Sequence, residues 1–167
     1  MTVCAAPVPT GRGDTIHASA VCLAGRGLLI LGPAGAGKTR LALELIALGA
    51  ELIADDRVVV APDPAGRPVL SPPPAIAGLV EIRGAGILRH PYCSAAPLWL
   101  TIDLGATPAE RMAGFQHRSI AGAEIPCLAG GAPLHAAAIL AMLRTGNLPE
   151  PDFFADRDAA PALRRHG

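Results

Sequence analysis

The sequence predicts an α/β fold with a mostly β-sheet core and two helices. Short apolar runs recur along the 167 residues, separated by turns that draw on 19 glycines and 17 prolines. Two segments, residues 38–48 and 133–144, instead place apolar side chains at helical spacing. Because 51% of the residues are hydrophobic and only 17% are charged, the chain can bury a core and is not of the disordered class.

The elements follow one another in short steps along the chain. The predicted strands cover residues 20–23, 27–31, 52–54, 58–61, 69–70, 80–83 and 98–104, and a predicted hairpin covers residues 119–128. The hairpin turns around Gly122, and the first helix follows a glycine-rich loop and ends at Gly49. The second helix has Pro133 near its start and Gly146 beyond its end. The expected organisation is a flexible leader, one domain and a C-terminal tail, over residues 1–14, 15–146 and 147–167.

The composition excludes several classes of function. A formal net charge of zero, from 14 basic and 14 acidic residues, provides no basic surface for a nucleic-acid backbone or an anionic membrane. With 3% aromatic residues, a base-stacking platform is also disfavoured. The four cysteines lack metal-ligand spacing, which favours buried thiols in a reducing compartment. No apolar stretch is long enough to span a bilayer, so we expect a cytoplasmic protein without a nucleic-acid or membrane partner.

The most informative motif is the segment GPAGAGKT, which matches the phosphate-binding pattern G-x-x-x-x-G-K-[ST] in full. It lies between a predicted buried strand and an amphipathic helix, the context that the motif requires. Its glycines allow backbone N–H groups to turn toward phosphate oxygens, and the helix N-terminus adds partial positive charge. Lys38 would neutralise the β- and γ-phosphates, and the Thr39 hydroxyl would ligate Mg²⁺; the alternative is a glycine-rich turn with a surface lysine. The predicted nucleotide-binding residues are Gly32, Pro33, Ala34, Gly35, Ala36, Gly37, Lys38 and Thr39.

Two adjacent acidic residues, Asp55 and Asp56, follow the predicted strand at residues 52–54. In a P-loop protein, a carboxylate that holds the metal or acts as a base lies at the end of a neighbouring strand. Adjacent side chains point in opposite directions on an extended backbone. One aspartate could therefore face the phosphates while the other caps a loop or meets Arg57. The alternative is an ordinary turn, because aspartate is common at strand ends.

The run GPAGAGKTRLALELIALGAELIADDRVVV, followed by VEIRGAGIL, closely resembles the catalytic domain of HPr kinase/phosphorylase. The resemblance covers most of the chain, from about residue 17 to the helix that ends near residue 144. That family phosphorylates a serine of the phosphocarrier protein HPr and uses a P-loop to do so. The resemblance implies a P-loop kinase domain of the HPr kinase type, ATP and Mg²⁺ as cofactors, HPr or an HPr-like partner, and a hexamer.

The resemblance also implies roles for individual residues. His17 matches the catalytic-site histidine of the family, Lys38 matches the P-loop lysine, and Asp56 matches the proton acceptor of the kinase direction. Thr39 takes the place of a Mg²⁺-binding serine, and Glu81 matches the second Mg²⁺ ligand. Residues 81–87 lie in the segment that the family uses in both reaction directions.

Without the resemblance, two of these residues have simpler interpretations. A histidine such as His17 beside an apolar strand is more often structural than catalytic. Glu81 and Arg83 share one face of an extended segment and could form an ion pair. The chain also departs from the family pattern. From its length we do not expect it to hold the separate N-terminal domain of the fuller members, and residues 128–133 lack the arginine that matters for phosphorolysis in the family.

These observations favour an ATP-dependent protein serine kinase that acts on HPr in regulation of the phosphotransferase system, with the phosphorylase activity left open. Two other hypotheses remain. A small-molecule P-loop kinase usually carries an arginine-bearing lid, for which Arg83 and Arg89 are the nearby candidates. A nucleotide-binding regulator without catalysis would have no need of the proton acceptor Asp56.

Overall fold

The protein forms a strand-rich domain, seen in a computed structural model that describes residues 13–107, 114–130 and 135–149. The strands are β1 (Asp14–Ile16), β2 (Ser19–Leu23), β3 (Arg26–Leu31), β4 (Glu51–Ala54), β5 (Val58–Pro62), β6 (Pro68–Ser71), β7 (Leu79–Ile82), β8 (Gly86–Arg89), β9 (Ala96–Asp103), β10 (Gln116–Ile120) and β11 (Ala123–Ala129). The helices are α1 (Lys38–Ala47) and α2 (Ala136–Thr145), and a 3₁₀ turn covers Pro74–Ile76.

Strand β9 connects two parts of the main sheet, whose order is β1-β5-β6-β9-β3-β2-β4, with β11 and β10 branching from β9. The start of β9 pairs antiparallel with β6, and the rest pairs parallel with β3 and β11. Because β2 is antiparallel to both β3 and β4, those two strands run in the same direction. The carboxyl ends of β3, β4, β9 and β11 therefore meet at one edge, where β2 begins. In open sheets with parallel strands, ligands bind outside this edge.

The core has two apolar clusters, one on each face of the strands around β3. Leu28 and Ile30 face α1 and α2, where they pack with Leu45 and Leu143. The alternate residues of β3 face the opposite side, where β5 and β6 complete the second cluster. Since both faces of the central strands are covered, these strands are mostly apolar and do not alternate regularly with polar residues. The site at the sheet edge is thus held by rigid, doubly buried strands.

The structure confirms the predicted α/β class, with a mostly β-sheet core, a P-loop helix and a second helix. The hairpin predicted around Gly122 is β10 and β11. Strand β8 was not predicted, because Gly84 and Gly86 indicate a loop; Gly84 lies in the turn that joins β7 to β8, and Gly86 is the first residue of β8. The helix predicted to begin at residue 133 begins at Ala136, and residues 131–134 lie outside the described residues.

Several other expectations fall partly outside the described residues. Of the leader expected over residues 1–14, residues 1–12 are not described, and its last residue, Asp14, begins β1. The tail expected over residues 147–167 is described only to residue 149. Within the described ranges the cysteines are buried thiols, at positions 22, 93 and 127, and Cys4 lies outside those ranges. In the same ranges, neither helix has the length and apolar content that a membrane crossing requires.

Candidate active site

A cavity of about 360 Å³ opens at the edge where β3 and β4 end. Its walls come from the glycine-rich loop after β3, the first turn of α1, the start of β2, the turn after β4 and the β7–β8 hairpin. All five residues that the sequence singles out as catalytic or metal-binding line this one cavity: His17, Lys38, Thr39, Asp56 and Glu81. The fold therefore brings together side chains that lie up to 64 positions apart in the sequence.

The glycine-rich loop has the backbone shape that phosphate binding needs. Gly35 and Gly37 have φ angles of 81° and 98°, which L-residues with a side chain rarely adopt. A Cβ at either position would meet open space, so the requirement for glycine is conformational. Gly37 is the N-cap of α1 and makes no side-chain cap hydrogen bond. The N–H groups of the first helical turn are therefore free of a side-chain cap and available to an anion.

Lys38 is held inside the curve of this loop. Its Nζ donates hydrogen bonds to the carbonyl oxygens of Gly32 (2.9 Å) and Pro33 (3.1 Å). The residue is 7% exposed, and a buried ammonium group requires such partners. Lys38 is also the only lysine in the sequence. A phosphate in the loop would offer the ammonium group a charged partner in the place of neutral carbonyls.

Asp55 is the member of the acidic pair that contacts the P-loop helix. The Thr39 hydroxyl donates to Asp55 Oδ1 at 2.9 Å, with Oδ2 at 3.1 Å. The Ser19 hydroxyl donates to Asp55 Oδ1 at 2.6 Å. Asp55 is 4% exposed, and no ion pair joins it to a basic residue within the described chain. A buried carboxylate held by neutral hydroxyls is suited to a cation.

A bulge in β4 directs Asp55 toward Thr39. Opposite β2, Leu52 pairs with Val21 and Ala54 pairs with Ala20, so the register shifts by one residue and leaves Ile53 as the extra residue. Ile53 and Ala54 consequently face the same apolar cluster. The next side chain, Asp55, then lies on the α1 side of the sheet. In a regular strand it would point into the apolar cluster, and bulges beside active sites commonly redirect a side chain in this way.

Asp56 turns away from Asp55 toward the mouth of the cavity. Its φ is 67°, a left-handed conformation that aspartate tolerates better than most residues. Its carboxylate lies 3.2 Å from His17 Nδ1 and 3.8 Å from Arg57 Nε. The Ala18 N–H donates to the Asp56 carbonyl oxygen at 3.2 Å, which anchors the turn to the start of β2. The side chains of His17 and Asp56 are 55% and 62% exposed, so a large molecule can reach them.

The β7–β8 hairpin forms the opposite wall. Glu81 is an exposed residue of β7, and it lines the cavity together with Ile82 and Arg83. The alternative ion pair between Glu81 and Arg83 is not among the ion pairs within the described chain. The Glu81 carboxylate is therefore available to a ligand in the cavity.

The chain is similar to known proteins in sequence and in fold. Residues 11–92 match the family described as the HPr Serine kinase C-terminal domain. This segment of the chain is therefore similar in sequence to the HPr kinase/phosphorylase family. It is 42% identical over 74 residues to HPr kinase/phosphorylase 1 of Oceanobacillus iheyensis, a match that covers 44% of this chain and 24% of that protein. It is 45% identical over 74 residues to HPr kinase/phosphorylase of Lacticaseibacillus casei (strain BL23), covering 44% of this chain and 23% of that protein.

A further relative and a solved structure extend the match. The chain is 46% identical over 74 residues to HPr kinase/phosphorylase of Enterococcus faecalis, covering 44% of this chain and 24% of that protein. The chain thus spans about a quarter of the length of the curated relatives it matches. The structure of the Hpr(Ser) kinase/phosphatase from Coxiella burnetii superimposes with a TM-score of 0.67 at 23% identity. That match covers 80% of this chain and 90% of the other, so the likeness in fold extends over more of the chain than residues 11–92.

The donor set of the cavity fits Mg²⁺. Thr39, Asp55 and Glu81 offer a hydroxyl and two carboxylates, which are the oxygen ligands that Mg²⁺ prefers. Among the described residues, no group of three or more His, Cys, Asp or Glu side chains forms a metal centre. A Mg²⁺ ion here would therefore take much of its coordination from phosphate and water oxygens, as is usual for this ion.

Sequence reasoning missed Ser19 and left the role of Asp55 open. Ser19 stands two positions after His17, and on an extended segment residues two apart share a face. A polar residue at the start of an otherwise apolar strand is a signal that could have found it. The different positions of the Asp55 and Asp56 side chains depend on the bulge and on the left-handed turn, which the pattern of residue types does not encode.

Proposed function

We propose that this protein is an ATP-dependent protein serine kinase that phosphorylates a serine of HPr or an HPr-like phosphocarrier protein in phosphotransferase-system regulation. The observation that carries the proposal is the convergence of a complete P-loop, a buried carboxylate on Thr39 and an exposed Asp56–His17 pair in one cavity. Relatives named HPr kinase/phosphorylase support the choice of substrate.

The P-loop would hold the phosphates of ATP. Backbone N–H groups from Gly35 to Lys38 surround the phosphate oxygens, and the Lys38 ammonium leaves the loop carbonyls to contact the β- and γ-phosphates. Thr39 and Glu81, together with Asp55, would hold Mg²⁺. When bound, this ion neutralises charge on the phosphate oxygens during transfer.

Asp56 would accept the proton of the substrate serine. As the serine oxygen forms its bond to the γ-phosphorus, the bond between that phosphorus and the β,γ-bridging oxygen breaks, and ADP leaves. The proton of the hydroxyl passes to the Asp56 carboxylate. His17, 3.2 Å from this carboxylate, orients it toward the cavity mouth. The exposure of both side chains is what a protein substrate requires, since a folded protein cannot enter a closed pocket.

We restrict the proposal to the kinase direction. Residues 128–133 contain no arginine in the position expected to support phosphorolysis. Of this segment, the structure describes Leu128 and Ala129 at the end of β11 and Gly130 after it. We also propose a cytoplasmic homo-hexamer, in line with the family resemblance, and light scattering of the purified protein tests the oligomeric state.

The deciding experiment incubates the purified protein with ATP, Mg²⁺ and candidate HPr-like proteins, and maps the phosphosite by mass spectrometry. We expect one phosphorylated serine on the phosphocarrier. ATP consumption that ignores every protein substrate would indicate a small-molecule kinase. Nucleotide binding without transfer to any acceptor would indicate a regulator, and either result would overturn the proposal.

The single lysine offers a direct test of nucleotide binding. An amine-reactive reagent can modify only Lys38 and the chain N-terminus, so mass spectrometry reads each site separately. We expect ATP with Mg²⁺ to slow modification of Lys38 and to leave the N-terminal amine as the internal control. Equal protection of both amines, or of neither, would contradict phosphate binding at the P-loop.

A further inference from the structure

Ser19 is a fully buried polar residue in the wall of the cavity. It is the first residue of β2, has no exposed surface, and is followed by the apolar residues Ala20 and Val21. Its hydroxyl donates a 2.6 Å hydrogen bond to Asp55 Oδ1, shorter than either contact from Thr39 to the same carboxylate. A polar group without solvent access in the sheet interior requires a partner, and here that partner is the carboxylate.

The sheet determines the direction of the Ser19 side chain. Val21 faces the cluster under α1, and Ser19 lies two positions earlier on the same face of β2. Strand β2 is hydrogen-bonded on both sides, with Ser19 opposite Ile30 and Ala20 opposite Ala54. The hydroxyl therefore projects from a backbone with little freedom to move.

Asp55 and Thr39 have fewer constraints. Asp55 lies just beyond the end of β4, and Thr39 donates its one hydroxyl proton to the carboxylate. If a metal ion binds between them, the Thr39 oxygen must direct a lone pair at the ion. The Thr39 hydroxyl must then reorient, and its hydrogen bond to Asp55 can change in length or direction. The Ser19 hydroxyl donates to the same oxygen, Asp55 Oδ1, that accepts from Thr39, and the proposed Mg²⁺ ligands do not include it. It can hold Asp55 in place while Thr39 adjusts.

We propose that Ser19 is a positioning residue that orients the Asp55 carboxylate for the metal bound with the nucleotide. The inference rests on the proposed function, because it concerns the same P-loop site. Partners behind a metal ligand commonly change metal affinity by about 10- to 100-fold when they are removed. For Ser19 we expect the lower end of this range of metal affinity, because Thr39 still contacts Asp55 when the Ser19 hydroxyl is absent.

The experiment measures ADP binding by calorimetry, with Mg²⁺ and with a chelator, for the wild type and for Ser19→Ala. We expect Ser19→Ala to weaken binding in Mg²⁺ by about tenfold. Binding without metal should stay within about twofold of wild type, because the P-loop backbone and Lys38 are unchanged. Ser19→Cys keeps a weak donor at the same position, so its ADP affinity in Mg²⁺ should lie between those of the wild type and Ser19→Ala.

Thr101→Val is the matched control. Thr101 is another fully buried hydroxyl residue of the same sheet, and it donates to the Pro126 carbonyl oxygen at 3.0 Å, away from the cavity. Removing this hydroxyl should lower the melting temperature and leave the effect of Mg²⁺ on ADP binding unchanged.

Two results would overturn the role of Ser19. Ser19→Ala could bind ADP in Mg²⁺ as the wild type does, or it could lose equal affinity with and without metal, as a structural defect would. Failure of the proposed function looks different, because it is seen in the wild type. If Mg²⁺ does not strengthen ADP binding to the wild type, the metal site is absent and the role of Ser19 is overturned with it.

Discussion

The two halves of the cavity are built in opposite ways. On the sheet side, Ser19, Lys38 and Asp55 are at most 7% exposed and make short hydrogen bonds. At the mouth, the side chains of His17 and Asp56 are more than half exposed, and one contact of 3.2 Å joins His17 Nδ1 to the Asp56 carboxylate. The buried half suits a small ligand that is held the same way each time, and the open half suits a large partner that arrives and leaves. Mutations in the buried half should therefore impair nucleotide and metal binding, and mutations in the open half should impair transfer to the protein substrate.

The largest effect is expected in the buried half, from Lys38→Ala. Loss of the ammonium group removes the buried positive charge of the P-loop, and one preorganised electrostatic contact of this kind is worth about 100- to 1000-fold in turnover. Phosphotransfer to the phosphocarrier should become undetectable or nearly so. Arg67→Ala, in the turn between β5 and β6, is the control, because its ion pair with Asp63 lies outside the cavity. Near-normal turnover in Lys38→Ala would exclude the P-loop as the site of transfer.

In the open half, Asp56→Asn should separate catalysis from binding. The amide keeps the size of the side chain and removes the proton acceptor, so turnover should fall by about 100-fold or more. ADP affinity should not change, because the Asp56 side chain points away from Thr39 toward His17. Single-turnover transfer and calorimetry measure the two quantities. Full activity in this variant would show that Asp56 is not the base.

Asp55→Asn tests whether the buried carboxylate binds the metal, and the same change at the adjacent Asp56 provides the comparison. An amide at Asp55 removes the charge of the proposed metal ligand itself, so the Mg²⁺ concentration that gives half-maximal turnover should rise by about 10-fold or more, at least as much as removal of a partner behind the ligand would cause. The Asp56→Asn variant should show no such shift in Mg²⁺ dependence, and it serves as the matched control. A shift of equal size in both variants would contradict the assignment of metal binding to Asp55 and proton acceptance to Asp56.

The smallest effect is expected far from the site, at Asp63. Its carboxylate accepts hydrogen bonds from the backbone N–H groups of Arg67 and Ala65 and pairs with the Arg67 side chain, and the backbone bond from Arg67 is the main cause that lowers its pKa. A lowered pKa in the folded state stabilises the fold above the ordinary value of 3.8, and this contribution is lost as the pH falls through the lowered pKa.

Asp63→Asn should therefore melt at a lower temperature than the wild type at pH 7, and the difference should shrink as the solution is acidified below pH 4. Kinase turnover at pH 7 and moderate temperature should match the wild type, since Asp63 does not line the cavity. A melting difference that is constant with pH would show that the ionised form of Asp63 contributes nothing to stability.

Much of the site could be predicted from the sequence, because its strongest signals are local. The P-loop is a continuous segment whose glycines, lysine and helix start must follow one another, and Gly35 and Gly37 have the positive φ that the motif requires. Strands β2, β3 and β9 are apolar because both of their faces are buried, and this is visible as runs of Ala, Val, Leu and Ile. Strand β8 was missed because its four residues are all exposed and show no apolar alternation.

The sequence by itself determined the position and backbone shape of the glycine-rich loop, the strand-rich class and the presence of two acidic residues at a strand end. Only the tertiary structure decided which aspartate contacts Thr39 and which contacts His17. The extra residue Ile53 in β4 brings Asp55 to Thr39, and the left-handed turn at Asp56 sends the second carboxylate to His17. Both depend on how β4 pairs with β2 across about 30 residues of sequence. Register is a property of two strands together, so neither strand alone encodes it.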